Sequence, residues 1–168
     1  NFNDKYHVLV KPKRSTMENL KITVFQGYLF WEKPDQNLQN IALRLSGIRE
    51  KTDLIILPEM FNTGFTMNAV ELAEPMGGKT MQWMHKIAKQ YECVVTGSLI
   101  IKENDKYYNR LIWMQPNGTC NYYDKRHLFA LGKEHNTYTA GTQKLIVELK
   151  GWKICSMICY DPGFEVWM

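Results

Sequence analysis

Residues 54–61 read Leu-Ile-Ile-Leu-Pro-Glu-Met-Phe. Four consecutive branched apolar side chains closed by Pro58 are too short a run for a helix and show no polar alternation, so they predict a strand buried on both faces. Upstream, Lys21-Ile-Thr-Val-Phe-Gln26 is rich in β-branched and aromatic residues and predicts a first strand. Between the two, Pro34 and Asp35 open a stretch in which Leu38, Ile41, Ala42, Leu45 and Ile48 recur at helical spacing, predicting a helix through about Glu50 with one face buried. Downstream, Met81, Met84, Ile87, Ala88 and Tyr91 place a second helix over Thr80 to Tyr91 with an apolar stripe that reads as core. Cys93 to Ile101 is again a strand. Asn104-Asp105 and Pro116-Asn117-Gly118 are turn sequences that make Tyr107 to Met114 and Thr119 to Tyr123 antiparallel neighbours. A polar loop follows over residues 124–142. Leu145 to Leu149 and Trp152 to Ile158, joined at Lys150-Gly151, form a last hairpin ending on Cys159, after which Phe164, Val166 and Trp167 read as the first turn of a helix. This order predicts one α/β domain, with helices on one face of a mixed sheet and neither an internal repeat nor a linker.

Composition narrows the function classes. The chain has 168 residues, 45% hydrophobic and 23% charged, with 12% aromatics, which excludes a disordered or fibrous protein. No apolar run reaches the roughly 18 residues of a membrane span, and Asn1 to Thr16 hold no signal-peptide core, so a cytoplasmic protein is expected. Of the formal charge of +4, Lys5, Lys11, Lys13 and Arg14 against Asp4 place +3 in residues 1–16 and leave +1 for the rest. No polycationic face for nucleic acid is therefore visible in the main body. Residues 1–16 read as a leader or an expression-derived extension ahead of a domain over 17–168. The spacing of Cys93, Cys120, Cys155 and Cys159 fits neither a disulfide framework nor a zinc site, and the first three read as small buried hydrophobes.

Chemistry concentrates at strand ends, where ligands of α/β sheets usually bind. Glu59, Lys125 and Cys159 each follow an expected strand. A thiol that attacks a carbonyl, a carboxylate that moves the proton and an ammonium that steadies the oxyanion together suffice for acyl transfer, with no metal or organic cofactor. Singly, each also reads as a surface charge or a core cysteine.

Taken together, Leu57-Pro58-Glu59-Met60-Phe61, Tyr123-Asp124-Lys125-Arg126-His127-Leu128-Phe129 and Ile158-Cys159-Tyr160-Asp161 resemble, in order, the three catalytic blocks of the nitrilase superfamily of carbon–nitrogen hydrolases. With Gly64-Phe65 and Glu134-His135, the pattern is most similar to the omega-amidase branch. The resemblance runs from Leu20 to Trp167. It implies a nitrilase-like α-β-β-α sandwich with mixed sheets, the family's C-terminal third lying beyond this chain, and a homodimer. By the same resemblance Glu59 is the general base, Lys125 the oxyanion partner and Cys159 the nucleophile. Glu134 would position the lysine and the substrate, the Tyr160 backbone N–H would join the oxyanion site, and Phe65 and His127 would support it. The implied reaction releases ammonia from the terminal amide of a small dicarboxylic mono-amide such as 2-oxoglutaramate, through a cysteine thioester. Where the family continues Leu-Arg-Phe-Pro after Cys-Tyr-Asp, this chain reads Pro162-Gly163-Phe164-Glu165. Two other readings stay open. One is another specificity in the same family, for a carbamoylated amine or a nitrile; the other is an inactive, truncated α/β module for binding or dimerisation.

Overall fold

The computed structural model describes residues 18–163. The leader expected over 1–16 and the helical turn expected at Phe164, Val166 and Trp167 lie outside them. In chain order the strands and helices are β1 (Ile22–Val24), α1 (Pro34–Leu45), β2 (Leu54–Ile56), α2 (Ala69–Leu72), α3 (Lys79–Tyr91), β3 (Val94–Glu103), β4 (Lys106–Met114), β5 (Cys120–Asp124), β6 (Leu145–Leu149) and β7 (Trp152–Ser156). The first five strands form one mixed sheet in the order β1-β2-β3-β4-β5. Its β1–β2 and β2–β3 pairs are parallel, with α1 and α3 in the crossovers, and its β3–β4 and β4–β5 pairs are antiparallel. Antiparallel neighbours need only short turns, and Asn104-Asp105 supplies one with φ of 49° and 58°, the left-handed pair that matches hairpin twist.

Alternation along the central strands divides the core between two faces. Ile55, Val95 and Ile112 meet Leu38, Ile41 and Leu45 of α1 and Met81, Met84 and Ile87 of α3 in one apolar cluster. Each such side chain taken fully out of water contributes about 1.5–3 kcal/mol, so the helices are held mainly by this face. The intervening residues Leu54, Val94 and Trp113 point to the other face and pack against Leu145, Val147, Leu149 and Ile154 of the β6–β7 hairpin. The layers are thus helix, sheet and second sheet, the mixed α/β arrangement expected. Lys150 ties the hairpin turn to the start of β2 through Asp53, 2.7 Å away.

Four local expectations change. Helix α1 ends at Leu45 because Ser46-Gly47 closes it with tighter bonds, Gly47 N–H to the Arg44 carbonyl at 3.1 Å and Ile48 N–H to that of Leu45 at 2.9 Å. Ile48 still packs on the core from outside the helix. The polar loop contains two 3₁₀ turns, Ala130–Gly132 and Glu134–Asn136. Strand β7 stops at Ser156, because the Ile158 N–H bonds the Asp161 carboxylate at 3.1 Å rather than a neighbouring strand. Cys155 is not a buried hydrophobe: it is exposed and pairs with Ile146 on the outer face of the hairpin, whereas Cys93 is buried in the core and Cys120 is half-buried. Among the described residues, no helix is long and apolar enough to cross a membrane.

One close approach holds the loop after β2 against β3. A Cβ added at Gly97 would stand 2.7 Å from the Leu57 Cβ and 2.9 Å from the Phe61 ring. Both neighbours are buried, so neither can give way cheaply. Gly97→Ala is expected to destabilise the fold by about 1–3 kcal/mol. Urea unfolding followed by tryptophan fluorescence should show a lower midpoint with an unchanged slope; an unmoved midpoint would refute the crowding.

Candidate active site

Three chain segments converge beyond the ends of β2 and β5 and the turn after β7. Glu59 leaves the sheet immediately after Leu57-Pro58, and its loop is pinned to β3 by two bonds: the Met60 N–H donates to Ser98 Oγ at 2.9 Å and the Phe61 N–H to the Ser98 carbonyl at 3.1 Å. Lys125 is the residue after β5, and its N–H donates to the Asn109 carbonyl at 3.0 Å, which extends the ladder by one bond. Glu134 comes from the second 3₁₀ turn of the loop beyond it.

The Lys125 side chain is fully buried, which is tolerable for an ammonium only with charged partners. Its Nζ lies 2.7 Å from Glu59 Oε1 and 2.9 Å from Glu134 Oε2. Glu134 is equally buried, whereas the Glu59 side chain retains 17% exposure and faces the open side. Asn109 bridges the two carboxylates, its Nδ2 donating to Glu59 Oε1 at 2.8 Å and to Glu134 Oε1 at 2.9 Å. The Phe129 N–H adds a bond to Glu134 Oε2 at 2.7 Å. Burial alone would lower the lysine pKa, but the bonds and charges of Glu134 and Glu59 outweigh it and hold the ammonium protonated. Two of its three N–H groups serve these carboxylates, leaving one for a further acceptor.

Cys159 sits on the exposed side of this network, in a turn where its own φ is +43°. The thiol stands close enough to the Glu59 carboxylate to feel its charge. Its pKa is raised above the ordinary thiol value, first by burial and then by the charge of Glu59; Lys125 opposes this and Glu134 reinforces it. The sulfur therefore rests protonated beside a carboxylate that can take the proton as it attacks. A cavity of about 150 Å³ opens beside it, lined by Glu59, Thr96, Ser98, Leu111, Ile158 and Cys159. Aromatic rings stand above the lysine: Phe65 has its centroid 5.8 Å from Lys125 Nζ and 6.5 Å from Phe129, which in turn meets Tyr160 at 5.5 Å. Among the described residues, no group of three His, Cys, Asp or Glu is arranged to hold a metal ion.

Of the residues expected from sequence, Glu59, Lys125, Glu134 and Cys159 are in one network, and Phe65 and Tyr160 flank it through Phe129. His127 is not in it; its ring turns to Asp161, with Nδ1 3.1 Å from Oδ1. Asn109 and Ser98 were not expected. The sign of Asn109 was an amide side chain which, with Arg110, interrupts the aromatic and aliphatic run Tyr107 to Met114, where a buried polar group requires partners.

The sequence pattern of the carbon–nitrogen hydrolase family matches residues 21–168. Over 151 residues the chain is 40% identical to the omega-amidase YafV of Yersinia enterocolitica, covering 90% of this chain and 58% of that one. It is 31% identical over 150 residues to the 2-oxoglutaramate amidase of Bacillus subtilis, covering 88% and 58%. The chain therefore spans under two thirds of the length of these curated relatives. A crystal structure of XC1258 from Xanthomonas campestris, a CN-hydrolase superfamily protein with an arsenic adduct in its active site, superposes with a TM-score of 0.86 at 40% identity, over 90% of this chain and 57% of that one.

The opposed influences on the thiol give a signed test. Glu59→Gln should lower the pH at which Cys159 is half ionised, and Lys125→Met should raise it. The pH dependence of iodoacetamide labelling at Cys159, with exposed Cys155 as internal reference, reads both shifts; shifts in the same direction would refute the charge assignment.

Proposed function

The chain belongs to the carbon–nitrogen hydrolase family, and from that premise we propose that it hydrolyses the terminal amide of a small dicarboxylic mono-amide of the 2-oxoglutaramate kind. The observation that carries the reading is the buried Lys125 clamped between Glu59 and Glu134, with Glu59 and the Cys159 thiol lining one cavity.

The chemistry follows from these groups. Glu59 takes the thiol proton as Cys159 Sγ attacks the amide carbonyl, forming the C–S bond. The Lys125 ammonium and the backbone N–H of Tyr160 receive the oxyanion, as the resemblance of the three blocks implies. Collapse breaks the C–N bond, and Glu59 returns its proton to the departing ammonia. Water, deprotonated by Glu59, then attacks the thioester carbonyl, and the sulfur leaves with the proton, regenerating the thiol and a carboxylic acid. Nucleophile, base and oxyanion partner are all side chains or backbone, so the cycle is complete without a cofactor. Glu134 and Asn109 touch the lysine and Glu59 and act by holding them. Phe65 and Tyr160 wall the entrance.

The relatives named for omega-amidase and 2-oxoglutaramate amidase activity favour that substrate class over carbamoylated amines and nitriles. The protein works in the cytoplasm as a homodimer; its four unpaired cysteines suit a reducing compartment, and exposed Ile146 on the outer face of the hairpin offers apolar surface to a second copy.

The test is ammonia release from 2-oxoglutaramate, an N-carbamoyl amine and an aliphatic nitrile by the protein and by Cys159→Ala. Release from the mono-amide, lost by at least about 10³-fold in Cys159→Ala, is expected from removal of the nucleophile. Equal rates in both proteins would sink the mechanism, and preference for the carbamoyl amine or the nitrile would sink the substrate class.

A further inference from the structure

The nucleophile is held in a backbone conformation that a side-chain-bearing residue rarely adopts. At φ +43° Cys159 is left-handed, and such a residue persists only where its surroundings over-determine it. The turn's own backbone provides little, one bond from the Asp161 N–H to the Ile158 carbonyl at 3.1 Å and a second beyond it from Gly163 to Tyr160 at 3.1 Å. The Asp161 side chain provides much more. It has no solvent exposure, and both its oxygens accept bonds. Oδ2 takes the Tyr123 hydroxyl at 2.7 Å and the Ile158 N–H at 3.1 Å. Oδ1 takes the His127 N–H at 2.8 Å and lies 3.1 Å from His127 Nδ1.

These partners come from two places. Ile158 precedes the nucleophile by one residue, while Tyr123 and His127 stand two residues before and two after Lys125. The Tyr123 hydroxyl also accepts the Arg126 N–H at 3.1 Å, bracing the same segment. One carboxylate therefore fastens the turn that carries the thiol to the stretch that carries the ammonium. We infer that Asp161 is a positioning residue for the reaction: its buried carboxylate fixes the Ile158–Asp161 turn to the Lys125 segment, and thereby sets the distance and direction of Cys159 Sγ and the Tyr160 N–H relative to Lys125 and Glu59. The inference rests on the hydrolase reading above and extends it to a residue that touches neither Glu59 nor Lys125. A buried charge with several donors is suited to this task, since charge-assisted bonds are shorter and stiffer than neutral ones.

Asp161→Asn preserves the shape but replaces one acceptor oxygen with an NH₂ group facing donors, so one side of the clamp becomes repulsive. Misplacing a reacting group by about 1 Å costs on the order of 10²-fold in rate. Asp161→Asn is expected to lose about that factor in kcat with KM nearly unchanged, because the residue does not meet substrate. The measurement that needs no substrate is peptide-resolved iodoacetamide labelling at neutral pH, with buried Cys93 reporting the fold and exposed Cys155 reporting reagent access. In the parent protein Cys159 should label more slowly than exposed Cys155, because burial and Glu59 keep its thiol protonated. In Asp161→Asn, where the turn no longer holds Sγ against Glu59, the Cys159 rate should rise towards that of Cys155 while Cys93 stays protected. A Cys159-to-Cys155 labelling ratio and a kcat both within about 3-fold of the parent in a folded Asp161→Asn protein would overturn the inference, because that lies well short of the loss a displaced nucleophile produces. If Cys93 becomes reactive, the variant has not folded, and Tyr123→Phe decides. It removes one bond to Asp161 and keeps the charge, and about a tenfold loss of kcat with Cys93 protected is expected from a single bond to a charged group, an unchanged kcat overturning the inference. A parent protein whose amide hydrolysis is unaffected by Cys159→Ala sinks the hydrolase reading itself, and this inference with it.

Discussion

An ammonium without water around it has to be neutralised where it stands. Lys125 is such a group, and the effective penalty for burying its charge unpaired is several kcal/mol. Meeting that constraint requires Glu59, Glu134 and Asn109 at one point, although they arise from the loop after β2, a 3₁₀ turn and the middle of β4. The sheet order makes this possible. The antiparallel β4–β5 pair puts Asn109 beside the residue that follows β5, and the parallel strands β2 and β3 bring the loop after Pro58 over the same edge, where Ser98 grips it. The rest of the architecture, helices behind and hairpin in front, holds those strand ends in register.

Two carboxylates against one ammonium leave the cluster with a formal charge of −1. That residual charge, together with burial, pushes the Cys159 thiol upward rather than downward. Cysteine nucleophiles paired with a cation are stored as thiolates. In the proposed reaction the proton stays on sulfur until a carbonyl arrives, and the carboxylate that discourages ionisation at rest is the one that accepts the proton during attack. The lysine is correspondingly held charged, ready for the oxyanion role proposed for it.

What could be read from the amino-acid order was whatever is local in its periodicity. The apolar run at 54–57, the helical stripes of α1 and α3 and the turn residues at 104–105 and 150–151 all declare themselves within a few positions, and the strand ends carrying Glu59 and Lys125 followed from them. Cys155 was misjudged because alternation says that one face of a hairpin is covered without saying which, and only the docking of Val147 and Ile154 on Trp113 decides it. The significance of Asn109 is not local, because it depends on the strand register that pairs Arg110 with Asp124 and so sets Asn109 beside Lys125. The four-residue α2 is too short to show a period, and it forms because Ala69 is wedged into a small cluster with Met60, Ile100 and Tyr138. The clamp at Asp161 stood in plain view within a recognised block, but which donors its oxygens meet is a tertiary fact.

The left-handed backbone at Cys159 bears on how such a protein can be improved in the laboratory. Glycine adopts that conformation freely, and the cysteine side chain is exposed, so replacing it with glycine relieves strain while sacrificing little packing. A selection that rewards only thermal endurance or expression would thus be drawn toward the position the proposed chemistry cannot spare. Robustness and turnover pull against each other at this single residue, and any library screened for the first has to hold position 159 fixed to keep the second.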